Sequence, residues 1–181
     1  ESAGASGAGV AAAPRPRVTL EQSAMSMMRL ARAADARTIA VMSRELIESG
    51  LGWSWTPARV QRCLRDPDTN VVVACAGKRV LGFAIMVYHE ERADLLLFAV
   101  AADHRRRGVG RALWQWLRAT AEVAGIGAVH LEVRAGNAAA RAFYRRLGFV
   151  EGATVPGYYG GREAAVRMRL ALGRTATPGP A

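Results

Sequence analysis

Arginine and glycine dominate the heptad Arg105-Arg106-Arg107-Gly108-Val109-Gly110-Arg111. Glycines let a backbone approach a ligand closely, the free amides of a helix N-terminus attract an anion, and arginines add charge and forked donors. The composition is typical of a pyrophosphate-binding loop, although a turn with solvated arginines explains it about as well. Two better-known phosphate loops are excluded: Lys78 precedes an arginine rather than Ser or Thr, and Leu113 stands where the dinucleotide fingerprint needs a third glycine.

A second run, Leu131-Glu132-Val133-Arg134-Ala135-Gly136-Asn137, passes from a predicted strand into a predicted helix. In their order and spacing, the two runs resemble the GNAT superfamily of acyl-CoA-dependent N-acyltransferases. Arg105-x-x-Gly108-x-Gly110 is similar to the family's coenzyme A loop. The segment Asn137-x-x-Ala140-x-x-Phe143-Tyr144-x-x-x-Gly148-Phe149 is similar to the family's second signature. The resemblance extends from about Arg29 to Leu172.

The resemblance implies that the chain binds acetyl-CoA. The pantetheine arm would pair with the backbone of Phe98, Ala99 and Val100, as an extra strand inserted where two strands splay. The pyrophosphate would lie on Arg106, Arg107, Gly108, Val109, Gly110 and Arg111, with Arg105 at the first position of the motif. Asn137 would contact the cofactor near the pantetheine arm, whereas the sequence alone explains it equally well as a helix N-cap, and it could do both.

The chemistry of amine acetylation requires a base, because an α-amine with a pKa of about 8, or a lysine at about 10.4, is mostly protonated at neutral pH. Glu132 lies on the polar face of its predicted strand and matches the family's base, so we expect it to take this role. A surface carboxylate paired with Arg134 is the structural alternative. Tyr144 matches the family's acid and would protonate the departing thiolate, unless it is only a core aromatic. The backbone amide of Val100 would polarise the thioester carbonyl.

Within the superfamily, the chain is most similar to the ribosomal-protein alanine N-acetyltransferase branch. This similarity rests on Leu131-Glu132-Val133-Arg134-Ala135, Trp53-Ser54, Tyr158-Tyr159 and Gly161-Arg162-Glu163. Only Gly160 separates the tyrosine pair from Gly161, where that branch carries several more residues. The resemblance places the acceptor between the Trp53 to Pro57 segment and the Pro156 to Gly161 loop. An aromatic wall of Trp53, Trp55, Tyr158 and Tyr159 could then hold an amine by cation–π contact.

The charge of the chain bears on its acceptor. The net charge is +10, and of the 25 basic residues only Lys78 is a lysine. Like charges slow encounter, so we expect a small or acidic amine ahead of a basic ribosomal-protein N-terminus, which remains the alternative. A second alternative is a sensor that binds acyl-CoA without turnover, against which the presence of both Glu132 and Tyr144 counts. A nucleic-acid-binding module is disfavoured because aromatics make up only 7% of the chain and its tryptophans do not interleave with the arginines.

The elements that position these residues follow from periodicity and end signals. We predict strands at Met27 to Ala33, Val71 to Ala76, Arg79 to Tyr88, Ala93 to Ala101, Ala128 to Arg134, Phe149 to Val155 and Ala164 to Ala171. Helices are predicted from Ala36 to Glu48, capped by Asp35, from Pro57 to Leu64, capped by Thr56, from Gly108 to Ala124, and from Asn137 to Leu147. The expected fold is α+β: a single GNAT-like domain at 25–172, with a mixed, mostly antiparallel sheet of six or seven strands, about four helices and a splayed central strand pair.

The remaining expectations come from composition. Biased segments at 1–24 and 173–181 predict flexible tails. The longest apolar run, Leu95 to Ala102, is too short to cross a membrane, and no secretory signal is evident. The two cysteines, Cys63 and Cys75, favour a reducing, cytoplasmic setting. Histidine and cysteine spacing indicates neither a metal site nor a covalent acyl-enzyme, so we expect direct attack in a ternary complex by a monomer or homodimer.

Overall fold

The computed structural model describes residues 27–173, which form seven strands and four helices. The strands are β1 (Met27–Leu30), β2 (Thr69–Ala76), β3 (Arg79–Tyr88), β4 (Arg92–Val100), β5 (Ala128–Arg134), β6 (Val150–Tyr159) and β7 (Glu163–Ala171). The helices are α1 (Ala36–Leu46), α2 (Pro57–Arg65), α3 (Val109–Val123) and α4 (Ala138–Arg146). The predicted tails lie outside the described residues except for Gly173.

The strands form one sheet in the order β1-β2-β3-β4-β5-β7-β6. Every neighbouring pair is antiparallel except β4 and β5, which are parallel and joined only from Arg92 opposite Ala128 to Asp94 opposite His130. Beyond this level, toward Val100 and Arg134, the two strands part. The predicted fold class, including the splayed central pair, is confirmed.

A β-bulge in β4 decides which side chains face each side of the sheet. Met86 of β3 is level with Leu95 and Ile85 with Leu97, so Leu96 is the extra residue. Leu95 therefore packs beneath α3 and α4, whereas Leu97 packs beneath α1 and α2. Leu96 itself is 41% exposed, so β4 is not buried along both of its faces despite its apolar composition.

The N-terminal elements differ from the prediction. Strand β1 ends at Leu30, and a short 3₁₀ turn, Ala33–Asp35, precedes α1. Asp35 does not cap α1, because its carboxylate accepts hydrogen bonds from Arg29 and from the backbone amide of Arg32. This pairing holds the pKa of Asp35 below its usual value. Helix α1 ends at Leu46, two residues before the predicted end.

The last hairpin also differs from the prediction, since β6 continues to Tyr159 instead of ending near Val155. Pro156 is tolerated there because β6 is an edge strand, where a missing amide hydrogen costs no ladder bond. Tyr158 and Tyr159 thus belong to the strand, and the turn between Tyr159 and its partner Glu163 is short. Among the described helices, none is long and apolar enough to span a membrane.

Candidate functional site

The splay leaves one side of β4 without a strand partner. From Leu95 to Val100 the strand pairs with β3 on one side, while its pairing with β5 has already ended at Asp94. Successive residues of a strand direct their amide and carbonyl groups to opposite neighbours, so part of the backbone of the predicted pantetheine residues Phe98, Ala99 and Val100 faces the gap between β4 and β5. An extended ligand can add to such an edge through main-chain hydrogen bonds.

The arginine-glycine heptad connects β4 to α3. Gly108 has φ +84° and stands at the N-cap of α3, so Val109, Gly110 and Arg111 form its first turn, whose amides have no intrahelical acceptor. Arg106 has φ +56°, the one positive φ at a non-glycine residue within 27–173. A residue held in this strained region is typical of a functional loop.

The arginines of this loop are unevenly engaged. The Nε of Arg105 donates to the carbonyl of Val100 at 3.2 Å, which ties the first residue of the motif to the end of β4. In the part of the chain that the structure covers, Arg106, Arg107 and Arg111 take part in no ion pair. Three guanidinium groups thus accompany the first turn of α3, where helix amides favour an anion.

An aromatic cluster packs the loop against α4. A Cβ at Gly110 would lie 3.3 Å from the ring of Phe143 and 3.6 Å from that of Phe98. The Phe98 and Phe143 rings are 5.5 Å apart, and Phe98 also lies 6.2 Å from Tyr144. Protein packing therefore favours a glycine at this position, since a Cβ would crowd the ring of Phe143. Because Phe98 is on β4 and Tyr144 on α4, the cluster brings Tyr144 to the splayed gap.

Tyr144 is buried, with 8% of its surface exposed, and lies between the rings of Phe143 and Phe149. Burial raises the pKa of its hydroxyl, and the neighbouring Tyr159 adds to the shift. The phenol consequently remains protonated across the range in which proteins work. It can donate a proton, as the sequence predicted, although no contact in the structure assigns that role.

Glu132 lies on β5, two residues beyond the last residue paired with β4. Its carboxylate is partly exposed and does not pair with Arg134: its nearest cation is Arg167 of β7, at 3.5 Å. The alternative of an ion pair with Arg134 is wrong, because Arg134 binds Glu163 at 2.6 Å instead. Within residues 27–173 this carboxylate has one long ion-pair contact, so it remains available to accept a proton.

The two tyrosines of β6 lie beside Glu132. Their rings are 4.9 Å apart, and Tyr158 lines the same groove as Glu132. Burial, followed by the charge of Glu132, raises the pKa of Tyr158. Burial first, then Tyr158 and Glu132, raises the pKa of Tyr159 to about 12. The structure thus brings together four residues singled out in the sequence, Glu132, Tyr144, Tyr158 and Tyr159.

The predicted tryptophans have different surroundings. Trp53 is 39% exposed on the α1–α2 loop, with the guanidinium of Arg44 5.1 Å from its ring centre. Trp55 is 8% exposed, belongs to the core beneath α1 and α2, and is covered by Arg59 at 3.9 Å. A wall containing Trp55 is therefore not supported by its position, since its ring already stacks within the protein.

Asn137 has the structural role that the sequence offered as one of two explanations. Its Oδ1 accepts a hydrogen bond from the amide of Ala140 at 3.0 Å and so caps α4. The residue is exposed, and its amide nitrogen makes no hydrogen bond within 27–173. That nitrogen is free to serve a ligand, so the cap and the cofactor contact are compatible.

Glu48, which no sequence motif singled out, organises the α1–α2 loop. This carboxylate is 6% exposed and accepts hydrogen bonds from the Ser54 amide at 2.7 Å, the Ser54 hydroxyl at 2.6 Å, and the amide of Trp55 at 3.3 Å. The sequence feature that could have revealed Glu48 is its position just beyond the C-terminal end of a helix, where the helix dipole disfavours an acid. Such a residue needs other partners, and here they are the loop amides.

Arg134 joins the α1–α2 loop to the strands that carry Glu132. Besides its bond to Glu163, it donates to the carbonyls of Ser49 at 2.8 Å and Ile47 at 3.3 Å. Arg162, in the β6–β7 turn, donates to the carbonyl of Gly50 at 3.4 Å. The α1–α2 loop, which leads into the Trp53 to Pro57 segment, and the β6–β7 turn, which follows the Pro156 to Gly161 segment, therefore meet at one end of β5.

Known proteins share both the sequence pattern and the fold of this chain. The sequence model of the acetyltransferase (GNAT) family matches residues 38–149. A [ribosomal protein bS18]-alanine N-acetyltransferase of Escherichia coli K12 is 41% identical over 97 residues, covering 52% of this chain and 66% of that protein. The N-alpha-acetyltransferase RimI of Mycobacterium tuberculosis is 34% identical over 99 residues, covering 52% and 61%. The matched segment thus spans slightly less than two thirds of each relative.

Solved structures resemble the whole described domain. The crystal structure of the Escherichia coli ribosomal-protein-S18-alanine N-acetyltransferase superposes with a TM-score of 0.73 at 28% identity, covering 87% of this chain and 99% of that one. Ard1 from Thermoplasma volcanium gives a TM-score of 0.74 at 27% identity, covering 83% and 99%. The similarity therefore extends from the sequence motifs to the complete sheet and its helices.

Proposed function

This chain belongs to the GNAT acetyltransferase family, and we propose that it transfers the acetyl group of acetyl-CoA directly to a primary amine. The observation that carries the proposal is the splayed end of β4 and β5. At this place an open strand edge, an anion-binding helix start, a carboxylate and a buried phenol converge. The two relatives are named as N-acetyltransferases, which supports the same activity here.

The residues of the chain fit acetyl-CoA, which supplies the acetyl group as a thioester. Arg106, Arg107 and Arg111, with the first-turn amides of α3, would hold its phosphates. The open edge at Phe98, Ala99 and Val100 would bind its pantetheine arm, and Asn137 would donate from its free amide nitrogen. Arg105 would keep the loop attached to β4 through its bond to Val100.

Glu132 and Tyr144 would perform the proton transfers. Glu132 accepts a proton from the incoming ammonium group, because only the neutral amine is a nucleophile. Tyr144 would direct its hydroxyl at the sulfur as the carbon–sulfur bond breaks, where it would stabilise the departing thiolate by a hydrogen bond and supply a proton. Burial raises the pKa of this hydroxyl and so keeps it protonated as a hydrogen-bond donor. The backbone amide of Val100 would stabilise negative charge on the carbonyl oxygen.

The amine of the acceptor would lie next to Glu132, flanked at the Arg134 end of β5 by the α1–α2 loop and the β6–β7 turn. Trp53, Tyr158 and Tyr159 remain as aromatic contacts for the amine, while Trp55 is left out because it is buried. A small or acidic amine is proposed ahead of a basic peptide because of the charge of the chain. The names of the relatives favour the second candidate, a protein N-terminus that begins with alanine. A cytoplasmic location remains a prediction.

A thiol-release assay over amine classes tests the proposal. Acetyl-CoA is incubated with the full chain and, separately, with peptides bearing free N-termini, lysine peptides, polyamines, amino acids and aminoglycosides. We expect thiol release that depends on an amine and is largest for one class. Tight binding of acetyl-CoA with no release for any amine would instead establish the sensor alternative.

A further inference from the structure

The face of the sheet that carries Glu132 is only half covered by helices. The apolar cluster beneath α1 and α2 is built from β2, β3, β4 and the helices themselves, and it contains no residue of β5, β7 or β6. On β7, Arg167 and Arg169 are exposed on this face. The alternating residues Val166 and Met168 are buried on the other face. An open strip of sheet therefore begins beside Glu132.

Strand register arranges the side chains of this strip in rows. Glu132 is directly opposite Arg167. One row further along, Asp94 of β4 is level with His130 of β5, which is level with Arg169 of β7. Opposed residues on neighbouring strands project from the same face, and residues two apart on one strand lie about 6.8 Å apart. Arg169 thus follows one row beyond the proposed base.

These rows form the floor of a groove. It has a volume of about 1040 Å³ and is lined by Glu132, Asp94, His130, Tyr158, Arg167 and Arg169. Leu96, the bulged residue of β4, and Val150 of β6 are its exposed apolar members, at 41% and 70% exposure. The groove begins at the proposed base, Glu132, and has room for several residues of an extended peptide.

Among the described residues, one arginine of the groove has no carboxylate paired with it. Asp94 binds His89 at 2.8 Å and lies 3.7 Å from Arg92, while Glu132 has only its 3.5 Å contact with Arg167. Glu151, which also lines the groove, is engaged by Arg141 and Arg145. Arg169 pairs with no carboxylate among residues 27–173. An anionic group with two oxygens is the natural partner of such a guanidinium.

We propose that this groove binds the acceptor beyond its amine, and that Arg169, assisted by Arg167, selects an acidic side chain at the third residue of a peptide N-terminus. The inference rests on the proposed function, because Glu132 marks where the amine lies. In an extended peptide the third side chain lies about 7 Å beyond the first and on the same side, which matches the spacing of the two rows. Arg169 would therefore set specificity without taking part in the chemistry.

The test compares two peptides that begin with Ala-Ser and differ only in Glu or Lys at the third residue. The wild type is expected to acetylate the Glu peptide with a kcat/KM about five- to tenfold higher, mostly through KM, because the contact is remote from the reacting atoms. Arg169→Glu should invert this preference, and Arg169→Gln should abolish it. Equal use of the two peptides, or a preference for Lys, by the wild type would overturn the inference.

Arg118→Glu is the matched control, since it makes the same charge change on α3, on the other side of the sheet. It should keep the wild-type preference, and a preference that inverts equally in this variant would show a general charge effect and refute the subsite. Reaction of small amines with neither peptide acetylated would overturn this inference alone. Failure to acetylate any amine would overturn the proposed function as well.

Discussion

At the level of single residues, the proposed base and acid have opposite environments. Glu132 is partly exposed with one long ion-pair contact, whereas Tyr144 is buried among aromatic rings. Water and the amine can reach the first, and the second keeps its proton because burial disfavours the phenolate. The exposed carboxylate would therefore take a proton from the amine, and the protonated phenol would donate a hydrogen bond to the sulfur as the thiolate departs.

Glu132→Gln should reduce kcat/KM by about 10²–10⁴-fold at neutral pH, the usual contribution of a positioned base. The deficit should shrink as the pH rises toward the amine's own pKa, because the neutral amine then forms without assistance. Initial rates across pH measure this. Glu122→Gln, a carboxylate on α3 paired with Arg118, is the control and should follow the wild type. A deficit that is constant with pH would contradict the role of a base.

Tyr144→Phe should lower kcat while leaving the affinity for coenzyme A within about twofold, since it removes a proton donor used only as the thiolate departs. Calorimetry and single-turnover kinetics separate the two quantities. Tyr88→Phe is the matched control, because the Tyr88 hydroxyl bonds Asn70 and Thr120 instead. An unchanged kcat in Tyr144→Phe would leave Tyr144 as a packing residue only.

At the level of elements, end signals predicted some helices and failed for others. Thr56 and Asn137 cap α2 and α4 as expected, because each is followed three residues later by an amide that its side chain reaches. Asp35 matched the same pattern but binds Arg29, a partner on another element that a local pattern does not reveal. Strand β6 was predicted too short for a related reason, since tolerance of Pro156 depends on its position at the sheet edge.

Local sequence patterns also failed to reveal the long-range contacts of the site. The motifs located the heptad, Glu132 and Tyr144, because those residues lie in contiguous signatures. The bond from Arg134 to Ser49 joins residues 85 positions apart, and Glu48 is recognisable only through the loop amides around it. Both are long-range consequences of packing, which periodicity and spacing do not encode.

The loop before α3 should bind coenzyme A mainly by charge. Arg106→Gln combined with Arg107→Gln is expected to weaken its affinity about tenfold or more, and to reduce the dependence of that affinity on salt. Calorimetry at several salt concentrations measures both effects. The control removes two exposed arginines, Arg62 and Arg65, from the end of α2, which lies near the end of β3 farthest from the loop. Unchanged affinity in the loop variant would remove the loop from the binding site.

At the level of the whole molecule, one continuous sheet carries the residues of the proposed site on two groups of strands. Strands β1 to β4 with α1 and α2 form one packed unit, and β5 to β7 continue the sheet with one face open. The splay occurs where the two groups meet, so the gap is a property of the fold rather than of one loop. Its presence was predictable from the family resemblance, whereas the bulge at Leu96 and the open strip of arginines were not.

The buried phenols near the gap should make stability fall at alkaline pH. The folded-state pKa of Tyr159 is raised to about 12, while an unfolded tyrosine titrates near 10. Between these values the unfolded chain releases a proton that the folded chain retains, so the free energy of unfolding decreases as the pH rises. Thermal melting across this range should fall less steeply for Tyr159→Phe than for the wild type. An identical slope would contradict the burial of this hydroxyl.

The central claim is that acetyl-CoA bound at the splay delivers its acetyl group directly to an amine. Mass spectrometry of the acceptor, the coenzyme and the protein in one reaction tests it most directly. Direct transfer should give one acetyl group on the acceptor for each coenzyme A released and none on the protein. Both products should be lost together in Glu132→Gln. Release of coenzyme A without an acetylated acceptor, or an acetyl group carried on the protein itself, would contradict it.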